Sequence, residues 1–204
     1  RDGGWPTSCR GWGRLPFDRS GPDLSAHVLR AIRAWWDDLD RLGLKPARYQ
    51  GAVNRGFSYL QKQQRADGSW LPLWFGNQDN QGDENPVIGT ARVLRAYQAW
   101  NRVADPAARR GLDWLAGQAN PDGGWGGGPA VVTISGQPTV STVEETALAV
   151  ETLVGAWPLE QYQDITRQGI EWLQDAVETG RFLQSAPIGF YFAKLWYHER
   201  LYPV

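Results

Sequence analysis

A sixteen-residue pattern occurs twice in this chain: Arg55-Gly56-Phe57-Ser58-Tyr59-Leu60-Gln61-Lys62-Gln63-Gln64-Arg65-Ala66-Asp67-Gly68-Ser69-Trp70 returns 55 residues later as Arg110-Gly111-Leu112-Asp113-Trp114-Leu115-Ala116-Gly117-Gln118-Ala119-Asn120-Pro121-Asp122-Gly123-Gly124-Trp125. The chain opens on the tail of a third copy, Arg1-Asp2-Gly3-Gly4-Trp5, and an eroded fourth runs from Gln168-Gly169-Ile170-Glu171-Trp172-Leu173 to Gly180-Arg181-Phe182. Self-similarity on this scale marks stacked supersecondary units, none of which can bury its apolar face alone. The opening copy has no helix before it and no initiator Met, so the 204 residues are expected to be a single domain from the back part of a longer protein.

The units read as helix pairs. After Ser20-Gly21-Pro22, apolar residues at Leu24, Val28, Ile32, Trp35 and Leu39 keep helical period, predicting a helix from Pro22 to about Leu42 with Ser20 as its cap. Gly43 and Pro46 punctuate, and Tyr49, Val53, Phe57 and Leu60 form the next stripe. A second pair carries Val93, Tyr97 and Trp100, then starts again at Pro106; a third carries Val143, Ala147, Val150 and Val154, then Tyr162, Ile165, Gly169 and Trp172. A seventh helix is expected over about Pro187 to Arg200, and Val131-Val132-Thr133-Ile134 reads as a short hairpin arm. Helices after the long loops are rich in Ala, Thr and Val, whereas those before the Gly-Trp turns carry an aromatic. The expectation is an all-α partial α/α toroid of about seven helices in inner and outer pairs.

Composition narrows the function classes. At 42% hydrophobic, 21% charged and a formal net charge of -1, nothing resembles the basic footprint of a nucleic-acid binder. A lone Cys9 forms no internal disulfide, and no Cys/His cluster has metal-ligand spacing, so no cofactor is called for and a reducing compartment fits. No run of about 18 apolar residues occurs. A cytoplasmic protein is expected, with peripheral membrane contact left open. Twelve Trp, seven Tyr and six Phe must be divided between core and cavity lining.

Arg/Lys-Gly-x-x-aromatic-aliphatic-x3-Gln-x3-Gly-x-Trp is similar to the QW motif of squalene-hopene and oxidosqualene cyclases. Tyr59, Leu60, Gln64, Gly68 and Trp70 fit it, while the second copy has Gln118 one residue early and Ala119 at the Gln place. Ser20 to Leu29, Ile88-Gly89-Thr90-Ala91, Thr139 to Thr142 and Pro187 to Tyr197 resemble inner-helix starts of the same family. The resemblance implies an α6/α6 barrel in which these motifs tie outer helices together. It also implies an apolar isoprenoid substrate, protonated by an Asp of an Asp-x-Asp-Asp run and cyclised through carbocations facing aromatic rings.

That acidic run is expected after Gly3-Gly4-Trp5, where Pro6-Thr7-Ser8-Cys9-Arg10-Gly11-Trp12-Gly13 has no carboxylate. The candidate catalytic residues are therefore Asp18, Asp23 and His27. His27 matches a family His that supports the acid, and Asp23 lies four residues before it on one helix face. The plainer roles are a helix-start charge for Asp23, pairing with Arg19 or a backbone N–H for Asp18, and a core position for His27. Candidate substrate-lining residues are Trp12, Trp74, Phe190 and Tyr197. Trp74 and Phe190 match cavity aromatics of the family and Tyr197 lies near another, whereas Ala186 stands where a second cation-facing Phe is usual. Asn77 to Asn85 lacks the alternating ligands of an EF-hand and reads as a solvated loop. Glu144-Glu145 faces the barrel mouth or merely charges a first helical turn.

Other toroids fit less well: a prenyltransferase β-like site needs an Asp-x-Cys pair and a His around zinc, and a glycan-processing barrel needs paired carboxylates. Two readings stand. One is a squalene-hopene-type terpene cyclase; the other is a barrel without its acid that holds an apolar ligand or serves as a scaffold. In both, an open arc leaves inner-helix faces for an N-terminal segment or a partner chain to cover, or else the helices pack into a smaller bundle.

Overall fold

The computed structural model describes residues 2–7, 19–77, 80–126, 141–156, 160–183, 186–190 and 195–199. Among them are six α-helices: α1 (Pro22–Ala34), α2 (Pro46–Gln63), α3 (Pro86–Ala99), α4 (Pro106–Ala116), α5 (Val143–Val154) and α6 (Gln163–Glu178). The first four each open on a proline, whose fixed φ suits the first helical turn and whose missing N–H is not needed there. Asn85 and Thr142 cap α3 and α5 by accepting from the backbone N–H groups of Ile88 and Glu145. Ser20 does not cap α1; its hydroxyl donates to Asp2 at 3.0 Å, and Gly21 occupies the cap position.

Helices α1, α3 and α5 pack side by side as an inner row, with α2, α4 and α6 behind them, giving three inner/outer pairs of a partial α/α toroid. The predicted first helix is shortened, ending at Ala34 and giving way to a short 3-10 turn at Trp36–Asp38. Asp37, Asp38 and Asp40 are the wrong sign for a helix C-terminus. Trp36 meanwhile packs edge-on to Trp100 with centroids 4.9 Å apart.

The seventh helix is not formed. Its residues contain two strands, β2 (Ala186–Phe190) and β3 (Leu195–Glu199), antiparallel with Pro187 opposite His198 and Phe190 opposite Leu195. A two-residue strand, β1 (Phe75–Gly76), adds to β2 with Phe75 opposite Phe190. Pro187 and Gly189 are poor in a helix interior, and the aromatic and β-branched residues around them suit a sheet. The expected arm at Val131-Val132-Thr133-Ile134 lies outside the described residues.

The sequence repeat is a repeated set of contacts. Trp70 is fully buried; its indole N–H donates to the Leu60 carbonyl at 2.7 Å and its backbone N–H to the Thr90 hydroxyl at 2.9 Å. Trp125 does the same with Leu115 and Thr146, and the Trp5 backbone N–H donates to Ser25. Each indole lies against the glycine that opens the next copy: a Cβ on Gly111 would stand 2.6 Å from Trp70, and one on Gly169 2.7 Å from Trp125. The motif's leading glycine is therefore the space for the preceding tryptophan. Gly68, at φ +100, turns the chain where a Cβ would meet the Arg110 carbonyl at 2.7 Å.

Gln64 fastens this turn to the next outer helix. Its amide nitrogen donates to the carbonyls of Gly68 at 2.8 Å and Ala107 at 2.9 Å, and its oxygen accepts from Arg110. In the second copy, with Ala119 at the equivalent place, Asn120 instead donates to the Gly126 carbonyl and the Ser141 hydroxyl. Gln64→Ala would leave these carbonyls short of a donor, and we expect a loss of about 1–3 kcal/mol in urea unfolding. Ala119→Gln should produce no comparable gain, because Asn120 already ties the second turn, through Gly126 and Ser141, to the segment that leads into α5.

Candidate functional site

The inner helices line a cavity of ≈ 650 Å³. Asp23, His27 and Arg30 project into it from α1, spaced four and three residues apart and so on one helix face. Arg92 and Arg95 reach it from α3, and Leu148 from α5. Trp74 and Phe75 come from the segment between the first Gly-Trp turn and α3.

Asp23 is the buried acid of this cavity, 3% exposed. Its Oδ1 accepts from the backbone N–H of Leu73 at 3.0 Å, which holds the Trp74 segment against α1. Burial pushes its pKa above the ordinary aspartate value, outweighing hydrogen bonds from the Leu73 and Leu24 backbone and the charge of Arg92, all of which act to lower it. His27 is exposed at the edge of the same cavity, so it is not a core histidine. Trp74 donates its indole N–H to the Thr7 hydroxyl at 2.5 Å, and the Arg92 guanidinium lies 4.2 Å from the centre of the Phe75 ring.

The structure thus brings Asp23, His27 and Trp74 to one cavity. Asp18 and Trp12 lie outside the described residues. Phe190 sits at the end of β2 in register with cavity-lining Phe75, and Tyr197 sits on β3 opposite Ile188. Glu145 is buried within the α5 start, accepting from Thr142 Oγ1 at 2.9 Å and from Asn77 at 3.5 Å, so it fastens a loop. Asn80 likewise closes its own loop on the Glu84 carbonyl, and no cluster of His, Cys, Asp and Glu among the described residues could hold a metal.

Sequence reasoning missed Arg30, Arg92, Arg95 and Phe75. A signal existed: Arg30 continues the Asp23–His27 spacing, and charged residues interrupt an inner helix that is otherwise small and apolar.

The pattern of buried tryptophans, inner and outer helices and an aromatic-walled cavity agrees with comparison to known proteins. The family described as "Squalene-hopene cyclase C-terminal domain" matches residues 13–201. The chain belongs to this family. The squalene–hopene cyclase of Bradyrhizobium diazoefficiens is 32% identical over 163 residues, 78% of this chain and 23% of that protein. The probable squalene–hopene cyclase of Sinorhizobium fredii is 30% identical over 185 residues, 86% of this chain and 27% of that one. The chain therefore spans about a quarter of the length of these relatives. The solved ent-copalyl diphosphate synthase from Streptomyces platensis superposes with a TM-score of 0.62 at 23% identity, covering 86% of this chain and 29% of that one, and shares the fold.

Proposed function

We propose that this chain forms the proton-handling and cation-guiding wall of a terpene cyclase of the squalene–hopene type, which cyclises an apolar isoprenoid by protonation. The observation that carries this reading is Asp23, a carboxyl buried in the inner wall of a cavity that also presents Trp74 and Phe75. Its raised pKa keeps the proton on the resting acid at a pH where free aspartate has lost it. When that proton moves to an alkene carbon, the C=C electron pair becomes the new C–H bond and the adjacent carbon becomes cationic. The Leu73 and Leu24 N–H groups and Arg92 are already aimed at the carboxylate left behind, so its charge needs no solvent reorganisation. Aromatic faces stabilise the cation without attacking it. His27, at the exposed edge, returns a proton from solvent to Asp23 and is a positioning and relay residue.

The Leu73 hydrogen bond also gives Asp23 a purely structural task, which favours the second reading of a non-catalytic apolar-ligand barrel. The remaining helix pairs of the ring would come from another segment or a partner chain. They would cover apolar residues such as Val154 and Ile170, which are 48% and 41% exposed. No helix among the described residues is long and apolar enough to cross a membrane. The proposed setting is cytoplasmic, with peripheral membrane contact to collect so apolar a substrate.

The test is incubation of the full-length protein with squalene and shorter isoprenoids, with product analysis of the wild type, Asp23→Asn and His27→Ala. Cyclised product that collapses in Asp23→Asn and falls less in His27→Ala is expected. Unchanged turnover in both variants removes the site, and ligand binding without product establishes the binding barrel.

A further inference from the structure

Residues 73–77 carry the two aromatic rings of the cavity wall, Trp74 and Phe75, and are fastened to each of the inner helices α1, α3 and α5. The Leu73 N–H donates to Asp23 of α1 at 3.0 Å, the Phe75 ring lies under Arg92 of α3, and the Asn77 amide donates to Glu145 of α5 at 3.5 Å. Trp74 donates to Thr7, and Phe75 and Gly76 stand opposite Phe190 and Gly189 of β2. Most of these ties are single side-chain contacts. The flanks, by contrast, are firm. Before the stretch, Trp70 is locked in the core and Pro72 lies against α3, where a Cβ on Gly89 would stand 2.7 Å from the proline ring. After it, Asn85 caps α3, and Gly82 and Asp83, at φ +75 and +60, bend the chain on the way to that cap.

The same stretch covers Asp23. Leu73 and Asp23 are each 3% exposed and crowd together at the start of α1, where a Cβ on Gly21 would stand 2.7 Å from Asp23 Oδ1 and 2.9 Å from Leu73. Two effects oppose each other there. The Leu73 N–H binds a carboxylate more strongly than a carboxylic acid, which ties the stretch down when Asp23 ionises. Dry surroundings penalise the same charge, and lifting the stretch away lets water reach it. Burial is the larger effect, since it raises the Asp23 pKa against hydrogen bonds from the Leu73 and Leu24 backbone and the charge of Arg92. The other titratable groups nearby are spread over the surrounding elements: His27 and Arg30 on α1, Arg95 of α3 paired with Glu151 of α5, and Glu145 held by Thr142. Tyr59 of α2 is kept neutral by burial, and Asp2 of the opening segment accepts from Gly4 and Ser20. Arg92 is the charge that acts on Asp23.

We infer that residues 73–77 are a gate worked by Asp23, shut against the cavity while the carboxyl holds its proton and released when that proton leaves. The shut gate keeps the cavity dry while the acid is loaded, and the open gate exposes the spent carboxylate to water. In the open form Asp23 has the ordinary aspartate pKa and in the shut form a raised one, so ionisation favours opening. The linkage does not depend on alkene protonation, because it acts equally in a barrel that only binds a ligand.

Hydrogen exchange of the Leu73 and Gly76 amides in the full-length protein, each rate divided by its intrinsic value at that pH, tests the gate. Upward from the ordinary aspartate value of 3.8, protection should fall by up to about tenfold per pH unit and level off above the folded pKa of Asp23. Core amides such as that of Leu94 on α3 should keep their protection throughout. Asp23→Asn keeps an acceptor for Leu73 but cannot ionise, so both amides should hold their acid-side protection at every pH. Arg92→Gln removes the positive charge facing Asp23 and should carry the fall to higher pH.

Protection that rises with pH or stays flat overturns the inference, because the Leu73 hydrogen bond would then match or outweigh burial. A fall that survives in Asp23→Asn also overturns it, as does one shared by Leu94, which would be unfolding of the whole domain. The gate and the catalytic reading fail separately. The expected exchange profile with no cyclised product from squalene leaves the gate standing and removes catalysis. Asp23-dependent turnover with flat exchange removes the gate alone.

Discussion

Trp70→Ala and Trp125→Ala are each expected to destabilise the chain by about 3–5 kcal/mol, a large part of the stability of an ordinary domain. Both indoles are fully buried, so truncation removes large apolar side chains from contact and leaves cavities that the neighbouring helices only partly close. The loss is also polar. The carbonyls of Leu60 and Leu115 near the ends of α2 and α4 accept from these indoles, and they would lose that donor inside the core. Trp70 further packs near the Tyr97 ring, at a centroid distance of 6.3 Å, and against Gly111 of the next outer helix, so its removal loosens two successive units.

Trp→Phe should recover most of the packing but not the hydrogen bond, placing it between wild type and alanine. Urea unfolding followed by far-ultraviolet circular dichroism measures the order. A cost below about 1 kcal/mol for both alanine variants would contradict the role given to the repeat. The complementary substitution, Gly111→Val, should be comparably damaging, because its side chain would occupy the space of the Trp70 ring.

The repeat was the most legible part of this protein because each of its positions answers to a local constraint. Gly68 sits at a positive φ, Trp70 needs the notch at Gly111, and the prolines at 46, 86 and 106 open helices. Where several local forces compete, the sequence misleads. Residues 187–200 have enough apolar character to suggest a helix, yet pairing with Phe75–Gly76, a partner more than a hundred positions away, selects strands. No local periodicity contains that partner.

The site divides the same way. Asp23, His27 and Trp74 could be nominated from spacing and resemblance. For Arg30, Arg92 and Arg95 the signal was weak: Arg30 continues the Asp23–His27 spacing, but an arginine on an amphipathic helix ordinarily marks the solvent face. Only the inner-row packing of α1 and α3 shows that their faces meet at the cavity.

Asp23→Asn is expected to cut turnover by about 10²–10⁴-fold while making the folded chain more stable at pH values above the folded pKa of Asp23, a pair of opposite effects that a purely structural aspartate would not give. Asparagine keeps an oxygen that accepts from the Leu73 N–H, so the Trp74 segment stays attached. It has no proton to deliver and no charge to desolvate. The sign follows from the direction of the pKa: the folded value lies above the unfolded one, so the native state binds the proton more tightly. The stabilisation from protonating Asp23 is fully present below the unfolded value of 3.8 and is lost as pH rises through the folded pKa. Above that point the wild type carries the full cost of a buried carboxylate, and the variant does not. Urea midpoints taken across this range should therefore diverge in favour of Asp23→Asn as pH rises, then run parallel. A variant less stable than wild type at every pH would show that the aspartate serves chiefly as a fastening for the Leu73 segment. In a site built for proton transfer, the burial that holds the proton on Asp23 weakens the fold only once that proton is lost, and replacing the carboxyl should end both effects together.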